Sequence, residues 1–452
     1  MAVETGRVSR KDFLKTSSIG LAGAFLSPNI DQSAPNTSVN KQREAAAKSV
    51  ADTTQVLKNV RLETGFIYEN EQIVATQTDL FTIRIENGKI KSISPNDKNQ
   101  VGTDASGWLM LPSFKDMHIH LDKTFYGDKW QAIGSRSNGV KGMIELEQKI
   151  LPELLKNSTY KAEKLMELLQ SYGTNFARSH VNIEPTSKLQ SLDNLQKALE
   201  NKKQSFGAEI VAFPQHGIFY TDSASSLKEA AQLDIDFIGG LDPYSIDGSI
   251  EKPVDYMVQL ALDYGKGIDI HLHESGKTGV QTIEYLIDKA IENPALRHKT
   301  YISHAFALAN MDRAQQETIA EKLASAGIGI ASSVPFGNTV MPIPTLLKYG
   351  VEVLLGTDSV IDHWNTFGSG SVLQKANVAA QLYGASTEFA LSRMLRLPTA
   401  GILPLDDQGV QQWPKEGDLA SFALVDASCS AEAVSRISQV KSLYYEGHQV
   451  FI

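Results

Sequence analysis

Residues 115–125 read KDMHIHLDKTF, two histidines one residue apart followed by an acid and a lysine. The eight residues before them, GWLMLPSF (107–114), have the apolar character of a strand entering a core. Imidazole, carboxylate and ammonium groups are costly to bury without partners. Side chains two apart on a strand share a face, so His118 and His120 look the same way at the end of this strand. Something must compensate for their burial there.

Working outward, segment 113–402 alternates strand and helix. Eight apolar strand candidates stand at 111–120, 173–182, 208–215, 236–243, 267–274, 299–305, 328–334 and 351–358. Helical patterns lie between several of them. Val254, Met257, Leu260, Ala261 and Tyr264 recur at helical spacing, as do Val280, Ile283, Ile287 and Ala290. Eight βα units imply an α/β fold, a (β/α)8 TIM barrel, whose chemistry sits at the C-terminal strand ends. Those ends are rich in ligating side chains. His118 and His120 close the first strand, His180 the second and Gln215 the third. His271, His273 and Glu274 close the fifth, His304 the sixth and Asp358 the eighth. Six of the ten histidines fall at these positions, which scattered structural histidines would not do. Neutral imidazole and carboxylate suit a divalent transition metal. A shared ion would offset the cost of burying them.

The chain ends have a different texture. QVLKNVRL and LFTIRIENGKIKSIS on one side, and GDLASFALVDAS and VKSLYYEGHQVFI on the other, are strand-like. Asn87-Gly88 is a two-residue hairpin signal, and a second turn falls near Glu446-Gly447. Segments 52–112 and 403–452 are therefore expected to build one small β-sandwich domain beside the barrel. Residues 1–30 have a basic start, a short apolar stretch from Ile19 to Leu26 and then Pro28, the layout of an export signal. Within it, SRKDFLK (9–15) is similar to a twin-arginine signal with Lys11 in place of the second arginine. Export is the expectation and cytoplasmic residence the alternative. Polar residues 31–51 read as a linker.

Composition narrows the partners. The chain has 452 residues, 42% of them hydrophobic, enough for a large core and a smaller second unit. A net charge of −9 argues against nucleic acid or an anionic membrane surface. No apolar run approaches the ~18 residues that span a bilayer. The single cysteine, Cys429, excludes an internal disulfide. It also excludes the zinc deaminase fold that needs a P-C-x-x-C pair. Phosphate-binding glycine loops and a G-x-S-x-G serine motif are absent. A small-molecule substrate remains, with homo-oligomerisation open.

HxH on the first strand, histidines on the fifth and sixth, and aspartate on the eighth resemble the amidohydrolase superfamily. The bacterial cytosine deaminases are the nearest match within it. The resemblance runs from about residue 52 to the C-terminus. HIHLDKT, ARSHVN, IVAFPQHGIF, IDIHLHE, SHAFA and GTDSVIDHW carry it. It implies one divalent ion, zinc or iron, held by His118, His120, His271 and Asp358. His304 would hydrogen-bond the attacking water, and Asp358 would accept its proton. Glu274 would shuttle protons to the ring and to the leaving amine. Gln215 would hydrogen-bond a ring carbonyl and ring nitrogen, and Trp364 would wall the ring. The implied activity is hydrolytic deamination of a small amino-substituted nitrogen heterocycle, cytosine or a related pyrimidine or triazine. Hydrolysis of a cyclic amide and a non-catalytic exported binding protein are the alternatives. Some relatives bridge two metals with a lysine from strand 4. DFIGGLDP has none, which favours a single ion, and Lys123 is expected to pair with a nearby acid or to face an anionic substrate. Ser359 stands where cytosine deaminases carry a second acid, and Asn182 where strand 2 ends in aspartate. These departures leave the exact substrate open.

Overall fold

The computed structural model describes residues 54–134 and 139–452; the expected export signal and linker lie outside them. Five strands precede the barrel: β1 (Thr54–Glu69), β2 (Gln72–Glu86), β3 (Lys89–Pro95), β4 (Thr103–Asp104) and β5 (Leu109–Pro112). The barrel strands follow as β6 (Phe114–Ile119), β7 (Thr174–Asn182), β8 (Gly207–Phe213) and β9 (Phe237–Leu241). They continue with β10 (Gly267–His271), β11 (Thr300–Ser303), β12 (Ile328–Ser332) and β13 (Val353–Leu355). Three more, β14 (Phe422–Val425), β15 (Val440–Tyr445) and β16 (His448–Phe451), finish the chain.

Strands β6 to β13 pair in sequence order into one parallel sheet of eight. The first and last strands come together through a parallel bridge between Ile119 and Asp358, where the Asp358 N–H donates to the His118 carbonyl at 2.8 Å. Gly356 makes this approach possible. A Cβ at that position would lie 2.4 Å from both the Cβ and the carbonyl oxygen of His118. All eight strand regions expected from the sequence are present. Every residue of β9, β10, β11 and β12 is buried, as a parallel sheet covered on both faces requires. The covering helices use the expected stripes. Glu251–Tyr264 buries Val254, Met257, Leu260 and Ala261, and Lys277–Glu292 buries Ile283, Ile287 and Ala290. Each large aliphatic side chain so buried contributes roughly 1.5–3 kcal/mol.

The remaining strands form a second sheet in the order β16-β15-β14-β5-β1-β2-β3, with β4 on β1. Both chain ends therefore share one sheet. They also share one core, in which Leu57, Leu62, Ile83 and Ile90 meet Trp413, Phe422, Leu424 and Tyr444. Register shifts in the β1–β2 pairing bend the ribbon locally. The two expected turns are built as read. Asn87 and Gly88 have φ of 51° and 74°, and Glu446 and Gly447 have 46° and 82°, the positive pair that a type I′ hairpin needs. Strand β5 ends at Pro112 and β6 begins at Phe114, so one residue separates this sheet from the barrel.

Candidate metal centre and substrate pocket

The barrel gathers at one end the side chains that the sequence spreads over 240 positions. His118 Nε2 and His120 Nε2 each lie 3.5 Å from Asp358 Oδ1, and His120 Nε2 lies 3.4 Å from His271 Nε2. Ligand atoms of His118, His120 and Asp358 fall within 4.8 Å of one another, and so do those of His118, His180 and His271. Four ligands held tetrahedrally at zinc–nitrogen distances would stand about 3.4 Å apart, so the spacings fit one ion. His118, His120, His180 and His271 are buried. Two buried imidazole nitrogens at such a separation need a shared cation or proton between their lone pairs. His118 Nε2 has no hydrogen-bond partner among the described residues. Burial, reinforced by Lys123, pushes the His120 imidazole down to about 3, and burial with the neighbouring rings holds His271 well below its usual value. Both are neutral donors at physiological pH. Burial opposes ionisation of Asp358, but contacts with His118 and His120 hold it well below the ordinary carboxylate range.

Backbone strain marks two of the expected site residues. His304 and Asp358 have φ of 70° and 65°, a region uncommon for non-glycine residues and concentrated at functional sites. His304 directly follows β11, and Asp358 lies three residues beyond β13. Neither ring nitrogen of His304 has a partner among the described residues. Its ring lies 4.8 Å from that of His118 and stacks on His273 at 4.4 Å. His273 is anchored by Asp242, whose Oδ2 is 2.9 Å from Nδ1. Glu274 is held firmly. Its Oε1 accepts from the backbone N–H groups of Tyr244 (3.0 Å) and Ser245 (2.9 Å), while Oε2 is buried without a partner among the described residues.

Beside the histidines lies a second buried group of polar side chains. Lys123 is fully buried. Its ammonium donates to Gln215 Oε1 and to Asn182 Oδ1, and lies 5.5 Å from the Trp364 ring and 5.9 Å from the Phe213 ring. Phe213 in turn stacks on His271 at 4.0 Å. The structure thus brings Gln215 and Trp364 to one place through Lys123, next to the candidate metal-ligating histidines. With Oε1 taken by Lys123, Gln215 keeps its amide N–H donors for a ligand, so only the ring-carbonyl half of its expected pairing is served directly. Lys123 also meets the acid expected of it: Glu147 Oε1 lies 3.6 Å from Nζ.

Glu147 was not foreseen. It comes from the helix Gly139–Leu154 and is completely buried. It accepts from Asn182 Nδ2 at 2.9 Å and lies 3.2 Å from His216 Nε2 and 3.3 Å from His363 Nε2. His216 Nδ1 faces Glu184 Oε2 at 3.1 Å. Burial alone would lower the His216 pKa, but Glu147 and Glu184 raise it to about 9. Burial would likewise raise Glu147, yet Lys123, His363 and His216 hold it well below the usual range. A signal existed in the sequence. Met143, Ile144, Glu147, Leu151 and Leu154 form one buried stripe, with an acid standing in an otherwise apolar helix face.

Comparison with known proteins bears on the fold and the family. The amidohydrolase family model matches residues 240–451. Over 453 aligned residues the chain is 47% identical to the uncharacterized protein YahJ of Escherichia coli K12, covering 99% of this chain and 96% of that one. The chain belongs to the amidohydrolase superfamily. This amidohydrolase is also 26% identical over 304 residues to N-isopropylammelide isopropyl amidohydrolase of Pseudomonas sp. strain ADP, covering 66% of this chain and 74% of that protein. The crystal structure of N-isopropylammelide isopropylaminohydrolase from Burkholderia multivorans matches with a TM-score of 0.76 and 27% identity, over 88% of this chain and 98% of the other. The 5-methylcytosine deaminase of Klebsiella pneumoniae shares the fold, with a TM-score of 0.72 and 24% identity over 88% and 97% of the two chains. Membership makes this chain an enzyme that acts on C–N bonds.

Proposed function

We propose that this amidohydrolase is a metal-dependent hydrolytic deaminase of a small amino-substituted nitrogen heterocycle that carries a ring oxygen, of the pyrimidinone or hydroxytriazine kind. The observation that carries the reading is the Gln215 amide and the Trp364 ring, brought together by Lys123 beside the buried histidines. Lys123 holds Gln215 by its Oε1 and leaves the Gln215 amide N–H groups for a ligand, with the Trp364 ring 5.5 Å from the ammonium. An amide donor beside an aromatic ring suits a flat ring whose oxygen accepts a hydrogen bond. Relatives named for N-isopropylammelide and 5-methylcytosine, both amino-substituted nitrogen heterocycles, support it.

His118, His120, His271 and Asp358 would hold one divalent ion. Bound there, it supplies Lewis acidity that brings the pKa of water down to about 7. Asp358, ionised and partly exposed, accepts the proton that the attacking water gives up. The neutral His304 ring hydrogen-bonds that water and directs it at the amine-bearing carbon. Glu274, fixed by two backbone amides, gives a proton to the neighbouring ring nitrogen and recovers one from the added hydroxyl, while the proton taken by Asp358 passes to the leaving amine. Water adds its oxygen to the carbon, the C–N bond breaks, and ammonia leaves with a ring carbonyl in its place. Positioned proton transfers of this kind contribute about 10²–10⁴-fold each.

The test is amine release by zinc- or iron-reconstituted protein from a panel of amino-pyrimidinones and amino-hydroxytriazines, with 2-aminopyrimidine as the ring lacking oxygen. Turnover confined to the oxygen-bearing rings is expected. Opening of a cyclic amide without amine release would instead favour the other hydrolytic reading, and no amine release from any ring would sink the proposal.

A further inference from the structure

Beneath the metal-ligating histidines a polar chain crosses the barrel interior. Asp269 precedes His271 by two residues on β10, and Ser303 is paired with His271 across the β10–β11 ladder. Ser303 Oγ donates to Asp269 Oδ1 at 2.6 Å and lies 2.8 Å from His118 Nδ1. The second oxygen of Asp269 accepts from Arg178 Nη1 at 3.1 Å. Arg178 is itself fixed, with Nε on Glu209 at 2.8 Å and the guanidinium 4.1 Å from both the Phe237 and Tyr301 rings. Arg178, Asp269, Ser303 and His118 are all buried.

We infer that Asp269 acts through the Ser303 hydroxyl as a positioning residue that sets His118 in the tautomer able to bind a metal. This rests on the reading of His118 as a ligand. A carboxylate oxygen accepts hydrogen bonds and a guanidinium can only donate them, so Asp269, with one oxygen on Arg178, meets Ser303 as an acceptor. A contact of 2.6 Å is the length of a charge-assisted O–H···O⁻ bond, so the single hydroxyl proton of Ser303 is committed to Asp269. Toward His118 the serine oxygen can then only accept. The His118 Nδ1 must carry its ring proton, and Nε2 keeps the lone pair. Nε2 is the atom that faces Asp358. Orienting partners of this sort fix both ring direction and tautomer, and their loss typically costs about 10–100-fold in metal affinity.

Chelator competition with zinc, on protein checked for folding by circular dichroism, tests the inference without recourse to activity. Ser303→Ala is expected to lower zinc affinity about 10–100-fold, and Ser303→Thr, which keeps the hydroxyl, to stay within about threefold of wild type. Asp269→Asn should be worse than Ser303→Ala. Its amide can donate to Ser303, turning the hydroxyl proton onto His118 Nδ1 and moving the ring proton to Nε2, as a carboxylate-to-amide change does in a catalytic triad. Nitrogen-15 shifts of His118 in metal-free protein should show the ring proton on Nδ1 in wild type. Folded Ser303→Ala that binds zinc as tightly as wild type would overturn the relay. His118→Ala serves as the control: if it too binds zinc normally, the ligand reading has failed, whereas loss of zinc in His118→Ala alone leaves that reading standing.

Discussion

One oxygen of Glu274 is committed to two backbone amides and the other is buried and free of partners among the described residues. A carboxylate held in this way can exchange a proton with a ring placed over it without changing its own position. Glu274→Gln keeps the shape and an oxygen for the amides, but cannot carry the proton. Turnover should fall by about 10²-fold or more with metal content unchanged; activity within about tenfold of wild type would remove Glu274 from the role. Lys123→Met keeps the stem against Phe213 and Trp364 and deletes the ammonium. The ammonium fixes the Gln215 amide by a charged hydrogen bond worth about 1.5–3 kcal/mol; without it that amide no longer points its N–H groups at the ring oxygen, and kcat/KM for oxygen-bearing rings should drop about 10- to 100-fold. A ring lacking the oxygen should be spared; an equal loss for both would show that Lys123 serves the fold and not the substrate. At this scale the histidines and Asp358 were legible because imidazoles two apart at a strand end have few structural uses. Ser303 and Asp269 were not, because a serine or aspartate in a strand has no distinguishing chemistry until the barrel closes and sets them against His118.

Strands and helices were legible wherever burial is periodic. The eight barrel strands and the stripes of Glu251–Tyr264 and Lys277–Glu292 follow from that alone. The helix Gly139–Leu154 is instructive because its buried face contains Glu147. Periodicity identifies the face, but only the fold reveals that Lys123, His216 and His363 wait on the other side. The seam between β6 and β13 is another feature invisible to pattern. Gly356 is apolar context like its neighbours, yet its missing Cβ is what lets β13 reach His118. Gly356→Ala would set a methyl group against backbone atoms that cannot step aside. Such overpacking costs about 1–3 kcal/mol, so Tm should fall by about 1–4 °C. Zinc occupancy should fall with it, because His118 is the residue displaced. A variant with wild-type Tm and full zinc content would show that the seam has room to spare.

Over the whole molecule, stability should report the buried charge cluster that joins the helix Gly139–Leu154 to the loop after β8. His216 lies between Glu147 and Glu184. Its pKa in the fold is about 9, against about 6.5 for an unperturbed imidazole. A folded value above the unfolded one means that protonated His216 stabilises the fold fully below about pH 6.5, and that this contribution is lost as pH rises through about 9. The buried acids do not confuse this window. Burial pushes Asp116, Asp122 and Asp236 up to about 6, so their contributions have finished changing by about pH 7. Metal ligation has the opposite sign, since neutral imidazoles bind better as pH rises, and a single unfolding curve would mix the two. The difference between wild type and His216→Gln removes the shared terms. At fixed saturating zinc, that difference in unfolding free energy should be largest near pH 6.5. It should shrink toward pH 9 with a slope of up to about 1.4 kcal/mol per pH unit, the value for one linked proton. Denaturant titrations at half-unit steps of pH measure it. A difference independent of pH across this range would mean that His216 is neutral in the fold and that Glu147 and Glu184 are balanced by other groups.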